Sequence, residues 1–88
     1  MVAVHAVVSG QVQGVGFRWR CLQQAQAIGV CGWVRNMPDG KVELWAEGED
    51  GPVQRLLDWC RQGPRWARVD RVEERRVTPR GLGSFEVR

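Results

Sequence analysis

The stretch Gly10–Arg18 reads GQVQGVGFR, with three glycines in its first seven residues and an arginine at its end. An apolar run, Val2–Val8, precedes it, and a helical pattern that lasts to about Ile28 follows it. Glycines clustered between two periodic segments are typical of tight loops. The sequence therefore predicts a strand, a glycine loop and the first turn of a helix, in that order.

This loop and helix start together offer a site for an anion. The first N–H groups of a helix have no partners inside the helix, and the helix dipole favours negative charge there. A cation at the same end, such as Arg18, costs about 0.3–1 kcal/mol unless an anion lies between it and the amides. A phosphate-sized oxyanion suits a guanidinium, which binds it with two parallel hydrogen bonds. The alternative is a glycine turn chosen for its geometry, with Arg18 in solvent.

Two other phosphate-binding loops do not match this stretch. The P-loop requires a lysine followed by Ser or Thr after its last glycine, whereas Phe17 and Arg18 follow Gly16. The dinucleotide-binding pattern GxGxxG fails as well, because Trp19 stands where its last glycine is required.

Length and composition indicate one soluble domain covering residues 1–88. The chain is 43% hydrophobic and 26% charged, an ordinary globular balance. It contains no apolar run near the roughly 20 residues of a membrane span, and no basic segment that would begin a secretory leader. We therefore expect neither membrane association nor secretion.

The three cysteines, Cys21, Cys31 and Cys60, are odd in number and widely spaced. This pattern argues against a disulfide framework and against a metal-binding knuckle, and His5 is the only histidine that could assist. Cys21 and Cys60 fall on apolar helical faces and are expected in the core. The free thiols favour a reducing, cytoplasmic compartment.

The net charge of +3 comes mostly from arginines, seven of which fall between Arg61 and Arg80. Acidic residues alternate with them, at Asp70, Glu73 and Glu74. This alternation predicts a solvated strand face of mixed charge, and the positive excess would attract small anionic substrates.

Hydrophobic periodicity divides the chain into strand, helix, strand, strand, helix and strand. We predict strands at 2–9, 30–37, 41–47 and 67–78, helices at 17–28 and from a cap at Asp50 or Gly51 to Gly63, and a short last strand at 84–87. The sequence PDG at 38–40 predicts a hairpin turn. This order predicts the ferredoxin-like α+β fold, a four-stranded antiparallel sheet (plus a short C-terminal strand) with two helices on one face.

Several side chains receive structural roles only. Val69 and Val72 break strict alternation, so a bulge or a bend is expected between them. His5 is interpreted as a surface strand residue without a catalytic partner. Five tryptophans are expected to serve in packing: Trp19, Trp33, Trp45, Trp59 and Trp66.

Asn36 closes the second predicted strand, just before the PDG turn. In a ferredoxin-like sheet the second strand can lie close to the loop after the first strand. A side-chain amide there could donate to an oxyanion and accept from a water molecule. An asparagine chosen for its turn preference is the alternative.

Three groups of residues resemble the acylphosphatase family: GQVQGVGFR at 10–18, GWVRN at 32–36, and DG at 39–40 with VE at 42–43. The resemblance continues through AEG at 46–48, GP at 63–64 and Phe85, so it covers the whole chain. It implies a small ferredoxin-like enzyme that hydrolyses acyl phosphates to a carboxylate and inorganic phosphate. The phosphate-binding arginine of the family matches Arg18, and its water-orienting asparagine matches Asn36. The amide cradle of the family matches the backbone of Gly14, Val15, Gly16, Phe17 and Arg18.

The resemblance also implies no cofactor and no metal. The expected partner is a small-molecule acyl phosphate, and inorganic phosphate, sulfate or chloride would occupy the same site. A cytoplasmic monomer without nucleic-acid or membrane binding is expected. Gln11 and Met37 receive no chemical role.

Two other functions share this strand order or this loop. RNA-recognition domains have the same order but carry stacking aromatics on the central strands, where this chain has one tryptophan, Trp45, between Glu43 and Glu47. A non-catalytic acylphosphatase-like module, as in the hydrogenase-maturation carbamoyltransferases, would keep the same loop. A measurement of acyl phosphate hydrolysis would distinguish that non-catalytic module from a free-standing enzyme.

Overall fold

A computed structural model describes all residues 1–88 and contains five strands and two helices. The elements are β1 (Val2–Gln11), α1 (Phe17–Ile28), β2 (Cys31–Asn36), β3 (Val42–Gly48), α2 (Asp50–Gln62), β4 (Arg68–Val77) and β5 (Phe85–Val87). This order confirms the predicted α+β fold of the ferredoxin-like type.

The sheet has the strand order β4-β1-β3-β2-β5. The first four of these strands pair antiparallel, as predicted, whereas β5 lies parallel to β2 and makes the sheet mixed. Arg88, just after β5, continues this edge by donating its N–H to the Val34 oxygen at 2.8 Å. The end of the chain is therefore fixed beside the strand that carries Asn36.

The main core lies between the helices and one face of the sheet. The pairs Val4↔Ala46 and Ala6↔Leu44 set the register that turns alternate residues of β1 and β3 toward the helices. The helices contribute the following buried residues: Phe17, Cys21, Ala25, Val53, Leu56, Leu57 and Cys60. Both cysteines predicted in the core are fully buried there. No helix of the chain has both the length and the apolar character needed to cross a membrane.

The opposite face of the sheet is covered in part by the chain between β4 and β5. A small second cluster there joins Ala3, Trp33 and Trp45 with Leu82 from that connection. The Arg80 guanidinium lies 4.3 Å from the centre of the Trp45 ring. The connection between β4 and β5 therefore shields the two tryptophans in the middle of this face from solvent.

The observed element ends differ from the predicted ones by one or two residues. β1 runs two residues further than expected, to Gln11, because Gly10 pairs with Val69 and Gln11 with Arg68. The cap of α2 is Glu49, not Asp50 or Gly51, since the Glu49 oxygen accepts the first helical N–H at 3.1 Å.

The bulge expected in β4 is present. Ser9 pairs with Arg71 and Gly10 with Val69, so Asp70 is left over on β4. The extra residue brings Val69 and Val72 to the same face of the sheet, where both contact the main core.

Two structural expectations are wrong. Trp19 and Trp66 do not serve in packing, because their side chains are 61% and 75% exposed. His5 is not a plain surface residue: it is half-buried, and its Nε2 lies 2.6 Å from the Glu43 Oε2. His5 is directly opposite Trp45 in the pairing of β1 with β3, so Glu43 is its diagonal neighbour. Because the two residues are far apart in the sequence, their spacing does not indicate this pair.

Candidate active site

The loop between β1 and α1 owes its shape to two glycines. Gly14 and Gly16 have φ values of 74° and 78°, in the left-handed region that other residues rarely adopt. A Cβ added at either position would meet nothing within 4 Å. The backbone conformation, and not crowding, is therefore the reason for glycine at both positions.

The start of α1 leaves a series of N–H groups without protein partners. The helix begins with Gly16 as its cap, and no side chain caps it. The first helical hydrogen bond runs from the Arg20 N–H to the Gly16 oxygen at 3.0 Å, and no backbone N–H of residues 14–19 donates to a backbone acceptor. No acidic residue lies in the first turn. This end of the helix thus carries free donors and no compensating negative charge.

A cavity of about 280 Å³ lies in front of these donors. Its lining consists of Val12, Gly14, Gly16, Phe17, Arg18, Trp19, Asn36 and Val87. The fold therefore brings Arg18, Asn36 and most of the predicted amide cradle to one cavity. Val15 is the exception among the predicted residues, because it does not line the cavity and its side chain contacts the main core.

Asn36 reaches the cavity because it is the last residue of β2. It pairs with Val42 of β3, and the alternation along β2 places it on the helix side of the sheet together with Val34. The strand register thus directs this polar residue toward the loop between β1 and α1.

Gln13 holds the loop against the turn between β2 and β3. Its Nε2 donates to the Met37 oxygen at 2.7 Å and to the Lys41 oxygen at 2.9 Å. Sequence reasoning missed this residue, although it lies inside the glycine stretch. A polar side chain between the buried Val12 and the loop glycine Gly14 is the signal that could have indicated it.

Arg18 is half-buried in the second position of α1. Its Nη1 donates to the main-chain oxygen of Arg88 at 3.3 Å. This contact connects the arginine to the residue that follows β5. Val87, the last residue of β5, also lines the cavity. No carboxylate side chain lines the cavity, so no acidic side chain there offsets the charge of Arg18.

A second cavity, of about 440 Å³, lies on the other face of the sheet and contains none of the predicted site residues. Its wall mixes both signs of charge, since Lys41 and Arg75 line it together with Asp39, Glu73 and Glu74. Nowhere in the chain do three His, Cys, Asp or Glu side chains gather closely enough to hold a metal ion.

Known proteins resemble this chain over its whole length. The family model for acylphosphatases matches residues 4–87. The chain is 50% identical over 86 residues to an acylphosphatase of Thermococcus kodakarensis, across 98% of this chain and 94% of that protein. The crystal structure of acylphosphatase from Bacillus subtilis is similar with a TM-score of 0.96 and 31% identity, across 99% of this chain and 98% of that one.

A larger protein contains the same fold as a small part of its length. In the crystal structure of T. kodakarensis HypF, the match has a TM-score of 0.83 and 33% identity, and it covers 99% of this chain but 12% of that one. Since the family model and the relative of similar size both match nearly end to end, the chain belongs to the acylphosphatase family, the hydrolases that act on acyl phosphates.

Proposed function

We propose that this chain hydrolyses acyl phosphates without a metal ion, with Arg18 and the amides of residues 14–18 holding the phosphoryl group and Asn36 orienting the attacking water. The observation that carries the proposal is the single cavity lined by Arg18, Asn36 and the start of α1. Sequence and fold make the family certain, and the assignment of roles rests on this geometry.

Phosphoryl binding follows from the donors that meet at the cavity. A tetrahedral phosphoryl group has three outer oxygens, each of which accepts more than one hydrogen bond. The free N–H groups at the start of α1 supply fixed donors, and the helix dipole adds a favourable field. Arg18 supplies a planar, permanently charged donor pair. Both sources line the same cavity, and together they would offset the charge of the phosphoryl group as it builds up in the transition state.

The chemistry requires little beyond this positioning. Water attacks phosphorus, an O–P bond forms, and the bond from phosphorus to the acyl oxygen breaks. The electron pair of that bond leaves on a carboxylate, whose conjugate acid has a pKa of about 4, so no general acid is needed. The proton of the water passes to a phosphoryl oxygen of the substrate, and the products are a carboxylate and inorganic phosphate. Asn36 would hold the water in line with the leaving group.

The same donors would bind simpler anions. Inorganic phosphate is a product of the reaction, and sulfate or chloride would occupy the cradle in its place. Nucleic acid is a poor fit on the opposite face, because Trp45 is buried there beneath the Arg80 guanidinium and has no open ring face for a base. We expect a monomer in the cytoplasm, where its three free cysteines would stay reduced.

Phosphate release from acetyl phosphate in the presence of EDTA tests the proposal. We expect the wild-type protein to release phosphate under these conditions. The Arg18→Ala variant should lose about 10²–10³-fold in kcat, the range found when one donor to a transition-state oxyanion is removed. No release by the wild-type protein above the uncatalysed rate would overturn the proposal.

A further inference from the structure

Trp19 has no structural reason to be a tryptophan. It is the third residue of α1, it follows Arg18 directly, and its side chain is 61% exposed. Leaving a large apolar ring in water forgoes the stabilisation that burial would bring. The core face of α1 is formed by other residues, with Phe17 and Cys21 among them. Trp19 instead lines the cavity together with Arg18.

The other four tryptophans all have partners for their rings. The Arg88 guanidinium lies 5.1 Å from the centre of the Trp33 ring. The Arg80 guanidinium covers Trp45, and Phe17 lies 5.3 Å from Trp59, centre to centre. Even the exposed Trp66 has the Arg65 guanidinium at 5.3 Å. Trp19 alone has neither an aromatic nor a cationic partner, so its ring face is open at the edge of the site.

The cavity has more room than a phosphoryl group needs. Its volume of about 280 Å³ lies near the lower end of the range for small-molecule pockets, roughly 300–1,000 Å³. Trp19 is accompanied in the wall by Val87, which is 39% exposed, and by the buried Val12. The cavity thus combines polar donors for an anion with apolar side chains that offer a phosphate no hydrogen bond.

We propose that Trp19, with Val87 beside it, binds the acyl group of the substrate and makes this enzyme selective for acyl phosphates with an apolar, above all aromatic, acyl group. The inference rests on the proposed function, because it requires that the phosphoryl group of the substrate occupies the donors of the loop. The acyl group is joined to that phosphoryl group through one oxygen, so it lies within a few bonds of the cradle. An aromatic acyl group there would stack on the open indole face.

Selectivity is measured as the ratio of kcat/KM for benzoyl phosphate to kcat/KM for acetyl phosphate. Comparing this ratio between variants removes the intrinsic difference in reactivity of the two substrates. We expect Trp19→Ala to lower the ratio by about tenfold, as the loss of an aromatic contact predicts. Trp19→Phe should keep most of the ratio. Trp66→Ala is the matched control, since it removes an exposed tryptophan that does not line the cavity, and it should leave the ratio unchanged.

Inhibition by inorganic phosphate separates acyl binding from a general disturbance of the loop. Phosphate has no acyl group, so its inhibition constant should change by less than about threefold in Trp19→Ala. An unchanged ratio in that variant, or a phosphate constant that rises as much as the KM for benzoyl phosphate, would overturn the inference. If the wild-type protein hydrolyses neither substrate, the proposed function itself fails, which is a different outcome.

Discussion

Gln13 is joined to Met37 by a hydrogen bond of 2.7 Å from its side-chain nitrogen to the main-chain oxygen. The same nitrogen donates to the Lys41 oxygen at 2.9 Å, so both of its hydrogens are used. These bonds connect the loop that precedes Arg18 with the turn that follows Asn36. Gln13 therefore links the elements that carry the two proposed functional side chains, although it does not itself line the cavity.

Replacing Gln13 with alanine should weaken both the fold and the site. Two half-buried carbonyl oxygens would each lose one of two donors and keep a backbone N–H, and two lost hydrogen bonds predict a loss of about 1–3 kcal/mol in the free energy of unfolding. A small displacement of the loop from Asn36 should lower kcat by about tenfold, because in-line attack depends on position. Urea denaturation and phosphate release from acetyl phosphate measure the two effects.

Gln54→Ala is the control for Gln13→Ala. Gln54 is an exposed residue of α2 whose side chain makes one hydrogen bond of 3.3 Å, to Asp58. Its replacement should change the free energy of unfolding by less than about 0.5 kcal/mol and leave turnover unaffected. Equal behaviour of the two variants would show that Gln13 does not position the loop.

The Arg18→Lys variant should lose most of its activity, about 10²–10³-fold in kcat/KM, although the charge is kept. A lysine is a point charge and cannot replace the two parallel hydrogen bonds of a guanidinium. Arg20→Lys is the matched control, because Arg20 is exposed on the same helix and does not line the cavity. Near-normal hydrolysis by Arg18→Lys would count against the assigned role.

The Asn36→Ala variant should lower kcat by about 10²-fold while the inhibition constant for inorganic phosphate changes by less than about threefold. The proposed role of Asn36 is to hold the attacking water, which affects the reaction step and not the binding of the phosphoryl group. Steady-state kinetics with phosphate as inhibitor separates the two. A loss of phosphate affinity with preserved turnover would reverse the roles given to Asn36 and the loop.

The parts of the fold that could be predicted are those that local patterns encode. Alternating strands, the helical spacing from Phe17 and the left-handed end of α1 at Gly29 all follow from chemistry within a few residues. The strand order also predicted that Asn36 lies near the loop between β1 and α1. The cavity that contains both confirms this neighbourhood.

The parts that could not be predicted depend on contacts between distant residues. His5 and Glu43 meet across two strands, and the Gln13 side chain reaches a turn 24 residues away. The exposure of Trp19 could not be predicted either. A tryptophan in the first turn of a helix gives the same sequence pattern whether its side chain is buried or lines a cavity. Such contacts depend on how the whole chain packs in three dimensions, and the spacing of residues in the sequence does not determine that packing.

Glu47 is the clearest of these distant contacts, since it is a carboxylate that is 1% exposed. Burial by itself raises the pKa of Glu47, but hydrogen bonds to its carboxylate outweigh burial and hold the pKa below its ordinary value. The donors are the backbone N–H groups of Arg80 and Leu82, at 3.0 and 2.9 Å, and the Trp45 indole at 2.8 Å. The buried charge thus anchors the connection between β4 and β5 to the sheet.

Because the pKa of Glu47 is lower in the folded chain than in the unfolded chain, its contribution to stability is present above the unfolded value and is lost as the pH falls through the folded one. At pH 7, Glu47→Gln should reduce the free energy of unfolding by about 1.5–3 kcal/mol, since the donors lose a charged acceptor. From about pH 5 downward the stability difference between wild type and variant should narrow, because Glu47 takes up a proton in the unfolded chain before it does so in the folded chain. Urea denaturation at a series of pH values measures the gap, with the exposed Glu73→Gln as control. A gap that stays constant from pH 7 to pH 3 would mean that the charge of Glu47 does not stabilise the connection, and that the shape of the side chain alone does.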